Sequence, residues 1–126
     1  MKGWPMRQYL AITKALSDEA RVRALMTLAD GELCVCQIIK VVALSPSTVS
    51  RHMSILQAAG LIERRKDGRW HYYRLAGRDA SPTVRQALRW ALKSLQDDQR
   101  IANDRRTLIR VRVRTREDLT ACYAAA

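Results

Sequence analysis

Two cysteines stand one residue apart in Glu32-Leu33-Cys34-Val35-Cys36-Gln37-Ile38. Thiolates are soft ligands and select soft, thiophilic ions. Their spacing makes a mechanical demand. On a regular helix, residues two apart point about 200° away from each other, so the pair can share one ion only where the helix start is unwound or distorted. A cysteine at a helix N-terminus also has its thiolate stabilised by the backbone dipole. An ion captured here would therefore pull on whichever helix begins at this point. The plainer reading of Cys34 and Cys36 is two small buried hydrophobes.

A second cluster has different chemistry. From Ser45 to Gly60, Val49, Met53 and Leu56 form one face, and Ser47, Thr48, Ser50, Arg51 and Ser54 the other. Small hydroxyls let a helix approach a groove closely and donate to phosphates, and Arg51 can reach guanine O6 and N7 by a bidentate contact. His52 lies beside the apolar stripe. It is a base-reading side chain, a metal ligand, or a half-buried histidine bonded locally. Downstream, Arg64, Arg65, Lys66 and Arg69 crowd a hairpin tip, where cations suit the flanking phosphate backbone. His71 on the same hairpin reads as a sheet-surface residue. The bland alternative for the whole set is a solvated surface.

The elements that must position these groups follow from punctuation and period. Residues 6–16 read as a helix. Ser17 offers an N-cap to a second helix whose stripe is Val22, Leu25, Met26 and Ala29, stopped by Asp30-Gly31. Residues 33–42 are apolar and read as a third helix. Ala43 and Leu44 then form a tight turn before Ser45-Pro46, a cap followed by proline at the first helical position. Two short helices so joined are a helix-turn-helix candidate. Asp67-Gly68 between two strand-like runs marks a hairpin. A two-residue Asp-Gly turn would set Ile62 opposite Tyr73, both facing the core. Ser81-Pro82 opens a further helix with Val84, Leu88, Ala91, Leu92 and Leu95 on one face, to about residue 98. Beyond it, Ile109, Val111 and Val113 alternate with arginines, a period-2 pattern that suggests a strand.

Composition narrows the class. The chain has 126 residues and a formal net charge of +11, which favours a polyanionic partner, most simply nucleic acid. Its length suits one domain. No run approaches the roughly 18 apolar residues of a membrane span, and the N-terminal stretch lacks a signal peptide's apolar core, so a cytoplasmic protein is expected. There is no Cys-x-x-Cys, clustered histidine or Gly-rich phosphate loop. A small thiol enzyme or metal carrier is therefore disfavoured, and no enzymatic activity is expected.

Taken together, ALSDEARVRAL at 15–25, ELCVCQI at 32–38 and STVSRHMSILQAAGLIERRKDGRWHYYRL at 47–75 resemble the ArsR/SmtB family of bacterial metal-responsive repressors. The resemblance covers roughly residues 8–98. It implies a mainly α winged helix-turn-helix with a β-hairpin wing, dimerised through its first and last helices. It also implies a double-stranded operator, no cofactor for DNA binding, and release by an inducer. On this basis residues 1–98 are the DNA-binding and dimerisation domain and 99–126 a basic extension. The ELCVC run resembles the thiolate box of the family's arsenic/antimony and cadmium/lead sensors. Arsenite or antimonite is the first choice of inducer, cadmium or lead the second. A thiol-redox-responsive or metal-independent repressor is the rival. The third cysteine of the best-known arsenic sensors is replaced by Ile39, and no N-terminal arm cysteine is present. Cys122 is either a third thiolate, from its own chain or the dimer mate, or an unrelated tail thiol.

Overall fold

The computed structural model describes residues 5–114. Helix α1 (Pro5–Ala15) leads into α2 (Glu19–Met26), which tightens into a 3-10 turn over Thr27–Asp30. A two-residue strand β1 (Leu33–Cys34) precedes α3 (Val35–Val42), and α4 (Pro46–Ala58) completes a helix-turn-helix. Strands β2 (Ile62–Asp67) and β3 (Trp70–Leu75) form the hairpin, followed by α5 (Pro82–Ser94) and α6 (Gln99–Arg112). The sheet is antiparallel with order β1-β3-β2.

The caps explain the boundaries. Ser45 Oγ accepts from Thr48 N and Ser81 Oγ from Val84 N, each with proline at the first helical turn. At α2 the cap is Asp18, not Ser17. The Asp18 carboxylate accepts from Arg21 N at 2.9 Å, whereas the Ser17 hydroxyl donates back to Lys14 O and finishes α1. Ala43 closes α3 in the left-handed region (φ 59°), the one described non-glycine residue with positive φ.

Three further expectations need correction. Residues 33 and 34 are strand, not helix, because Leu33 and Cys34 pair with Tyr73 and Tyr72. The hairpin turns one residue later than expected. Asp67 pairs with Trp70, leaving Gly68-Arg69 as the turn, so Tyr73 faces Arg64 and Ile62 faces Leu75. Gly68, at φ 60°, takes the first central position, where glycine serves a type II′ turn. Ile62 and Tyr73 still share the buried face as diagonal neighbours. Finally, the Arg/Val alternation at 109–113 is not a strand but part of α6. Its core stripe is Asp104, Leu108 and Val111, while Ile109 and Val113 are exposed. The helical period was hidden because one position of the stripe is an aspartate.

That aspartate explains why α6 packs on the body. Asp104 is buried and grips Arg23 of α2 through two bonds, Nε–Oδ2 at 2.8 Å and Nη2–Oδ1 at 2.9 Å, which holds the guanidinium above its ordinary pKa. Leu108 and Val111 join the same core as Ile38 and Leu25, so the chain beyond residue 98 returns onto α2 and α3.

Candidate nucleic-acid interface and thiol site

Helix α4 carries its two faces as its period requires. Val49, Met53 and Leu56 are fully buried. Ser47, Ser50, Arg51 and Ser54 recur at i, i+3, i+4, i+7 and are all exposed. Thr48 is half-buried, and its hydroxyl accepts from Ser45 Oγ at 2.8 Å. His52 is not brought onto this stripe. Its ring turns to α2, with Nδ1 3.2 Å from Arg21 Nη1 and Nε2 3.9 Å from Asp18 Oδ2. Arg21, itself buried, also donates to the carbonyls of Ala15 and Lys14. One guanidinium thus ties the end of α1, the start of α2 and the reading helix together. The Asp18 carboxyl is held below its usual range by the Arg21 amide and by its charged neighbours.

Arg64, Arg65, Lys66 and Arg69 are all exposed on the wing, but not equally available. Arg69 lies over the Trp70 ring at 4.9 Å. Arg65 stacks 4.4 Å from the Tyr72 centroid and is bidentate on Glu32, with Nη2–Oε1 at 2.7 Å and Nε–Oε2 at 3.2 Å. The guanidinium holds the Glu32 carboxyl below its usual range. Glu32 and Tyr72 were not among the expected site residues. Only the β1-β3-β2 order joins Glu32 to the wing, and β1 is too short to announce itself by period.

The cysteines meet the mechanical condition set by their spacing. Cys34 is the N-cap of α3 in extended conformation (φ −69°, ψ 145°), and Cys36 lies on the first turn. The helix start is therefore unwound at one of the two positions, and the Sγ atoms come to 2.8 Å. Gln37 Oε1 accepts from Cys34 N at 2.9 Å and holds the bend. Both residues are buried, at 2% and 0% exposure. The adjacent Cys34 thiol, then burial, push the Cys36 thiol far up from its ordinary value. Among the described residues no cluster of three His, Cys, Asp or Glu could hold a metal ion, so the site as described supplies two sulfur donors. Cys122 lies outside the described residues.

A helix-turn-helix with a serine- and arginine-faced second helix, followed by a cationic hairpin, defines a winged helix-turn-helix DNA-binding protein. The comparisons place it more closely. The model for "Bacterial regulatory protein, arsR family" matches residues 18–64. The chain is 37% identical over 99 residues to the arsenic resistance transcriptional regulator ArsR1 of Pseudomonas putida, covering 75% of this chain and 73% of that one. It is 36% identical over 77 residues to a cadmium resistance regulatory protein CadC homolog of Staphylococcus aureus, covering 60% of this chain and 64% of that one. Among solved structures, the homodimeric winged helix-turn-helix domain Mb0332 of Mycobacterium bovis, a possible ArsR-family regulator, matches with TM-score 0.61 and 29% identity. That match covers 76% of this chain and 93% of that one. The chain belongs to the ArsR family of bacterial regulatory proteins, a family of DNA-binding transcription regulators rather than enzymes.

Proposed function

We propose that the protein is a homodimeric repressor that holds a double-stranded operator when its thiols are empty and leaves it when arsenite or antimonite binds Cys34 and Cys36. The observation that carries this reading is the 2.8 Å approach of the two sulfurs across the unwound start of α3. Names of relatives support it: one concerns arsenic resistance and one cadmium resistance.

The chemistry balances without a base. Arsenous acid brings three hydroxides. Each thiol proton leaves with one hydroxide as water while an arsenic–sulfur bond forms. Two bonds use Cys34 and Cys36, and the third hydroxide stays or is replaced by a further thiol, for which Cys122 is the candidate in this chain. A soft ion with bonds of about 2.3 Å to sulfur holds two thiolates roughly 3.4–3.8 Å apart. Capture would therefore spread these sulfurs by roughly 0.6–1 Å. The surroundings are close-packed and do not absorb such a shift locally, so β1 and α3 move, and the reading helix beyond the Ala43 turn moves with them.

On DNA, Ser47, Thr48, Ser50 and Arg51 lead the groove contacts, and Arg64, Arg65, Lys66 and Arg69 the backbone contacts. His52 acts from behind, setting α4 against α2. The dimer forms through α1 and α5. Val84 and Leu88 are already buried within the protomer, so the exposed Met6, Tyr9, Leu10 and Trp90 provide the apolar area. The test is operator release from the reduced protein by arsenite, by cadmium and by peroxide in parallel. Arsenite should release at stoichiometric amounts. Release by cadmium alone would make it a cadmium/lead sensor, and release by peroxide alone a redox-responsive repressor.

A further inference from the structure

We propose that Glu32 is a positioning residue that carries the state of the Cys34/Cys36 site to the wing through its grip on Arg65. This rests on the reading that the two cysteines take the inducer. Three observations join here. Cys34 pairs across the sheet with Tyr72, and Tyr72 pairs with Arg65 on its other side, so one row of residues runs from the thiol site into the wing. The Arg65 guanidinium stacks on the middle member of that row, 4.4 Å from the Tyr72 centroid. It then returns to the backbone just ahead of Cys34 through its two bonds to Glu32. The row and the ion pair close a loop around β1.

Physically, a two-stranded hairpin is marginal alone. The two residues of β1 and the Glu32 grip anchor this one to the body. A bidentate arginine–carboxylate pair fixes direction as well as distance. With Nε and Nη2 engaged, Nη1 remains for a phosphate oxygen, and Glu32 decides where it points. Spreading the sulfurs shifts β1, Glu32 follows as its neighbour in the chain, and Arg65 swings off its phosphate. The wing's other exposed ion pair, Arg74 with Glu63 at 2.8 Å, lies wholly within β2 and β3 and provides the control.

The experiment measures operator affinity by fluorescence anisotropy, with and without stoichiometric arsenite. It uses the reduced full chain and a duplex that this protein selects from random DNA. The release factor is the ratio of the two Kd values. Glu32→Gln should cut that factor at least fivefold while the ultraviolet thiol–arsenic absorbance still titrates with wild-type stoichiometry. Arg65→Gln should do the same, the double variant no worse than either single, and Glu63→Gln should keep the wild-type factor. A Glu32→Gln protein that releases by the wild-type factor, or one matched by Glu63→Gln, overturns the proposal alone. A wild type that takes up arsenite yet keeps its operator overturns the inducer reading and this proposal with it.

Discussion

At the residue scale, the thiol pair combines reactivity with burial, and this sorts the candidate ions. Burial and the Cys34 thiol keep Cys36 protonated well above the ordinary cysteine range. A divalent cation must then expel a proton from each thiol to bind. Its affinity should rise about tenfold per pH unit for each proton lost, hence about a hundredfold for the pair. Arsenous acid carries its own hydroxides and loses water instead, so its affinity should be nearly flat between pH 6 and 8. Competitive titrations across that range check both slopes, and a steep slope for arsenite would contradict the condensation described above. On α4, replacing Arg51 by Gln should cost about 1–3 kcal/mol at one base pair and relax preference there alone, measured against a panel of single-base operator variants.

At the element scale, caps and a buried ion pair decide what moves together. Ala43 sits in the left-handed region at the turn of the helix-turn-helix, exposed and without packing to lose. That conformation costs a non-glycine residue about 1–2 kcal/mol. Ala43→Gly should therefore stabilise the fold by roughly 0.5–1 kcal/mol after glycine's own entropic cost, read from denaturant midpoints. Asp104→Ala leaves the buried Arg23 guanidinium without its carboxylate and should cost about 3–5 kcal/mol. Hydrogen exchange should show α6 loosening before the rest. The helix-turn-helix was legible because Ser45-Pro46, Ser81-Pro82 and the Val49-Met53-Leu56 stripe are local signals that tertiary packing reinforces. What escaped depends on partners distant in sequence. The strand character of Leu33 and Cys34 exists only because β3 lies alongside, and α6 was obscured because Asp104 is buried against Arg23. The hairpin was legible from Asp67-Gly68, while its register shifted by one turn position. Of the candidate site, the exposed stripe was readable from helical spacing. The inward turn of His52 was not, since Asp18 and Arg21 reach it from another helix.

At the scale of the whole molecule, a net charge of +11 implies salt-dependent binding to DNA. Each phosphate contact released should flatten the slope of log K against log salt by about 0.9. Arg64→Gln and Lys66→Gln should each do so without changing base preference. The fold places the thiol site, the anchor of the wing and the lead-in to the reading helix within one continuous stretch, residues 32–46. Ion capture and duplex binding are thereby coupled through a short path. Couplings between two sites of about 1–3 kcal/mol change affinity by a factor of roughly 5–150. Among the described residues no helix is long and apolar enough to cross a membrane.

The central claim is that two sulfurs built into the DNA-presenting scaffold turn ion capture into loss of grip. The most direct measurement is the operator Kd of the reduced protein before and after one equivalent of arsenite, beside Cys34→Ser under the same conditions. The expected result is a rise in Kd within roughly 5–150-fold for the wild type and none for the variant, which still binds DNA. A wild type whose thiols are loaded and whose operator affinity is unchanged would contradict it.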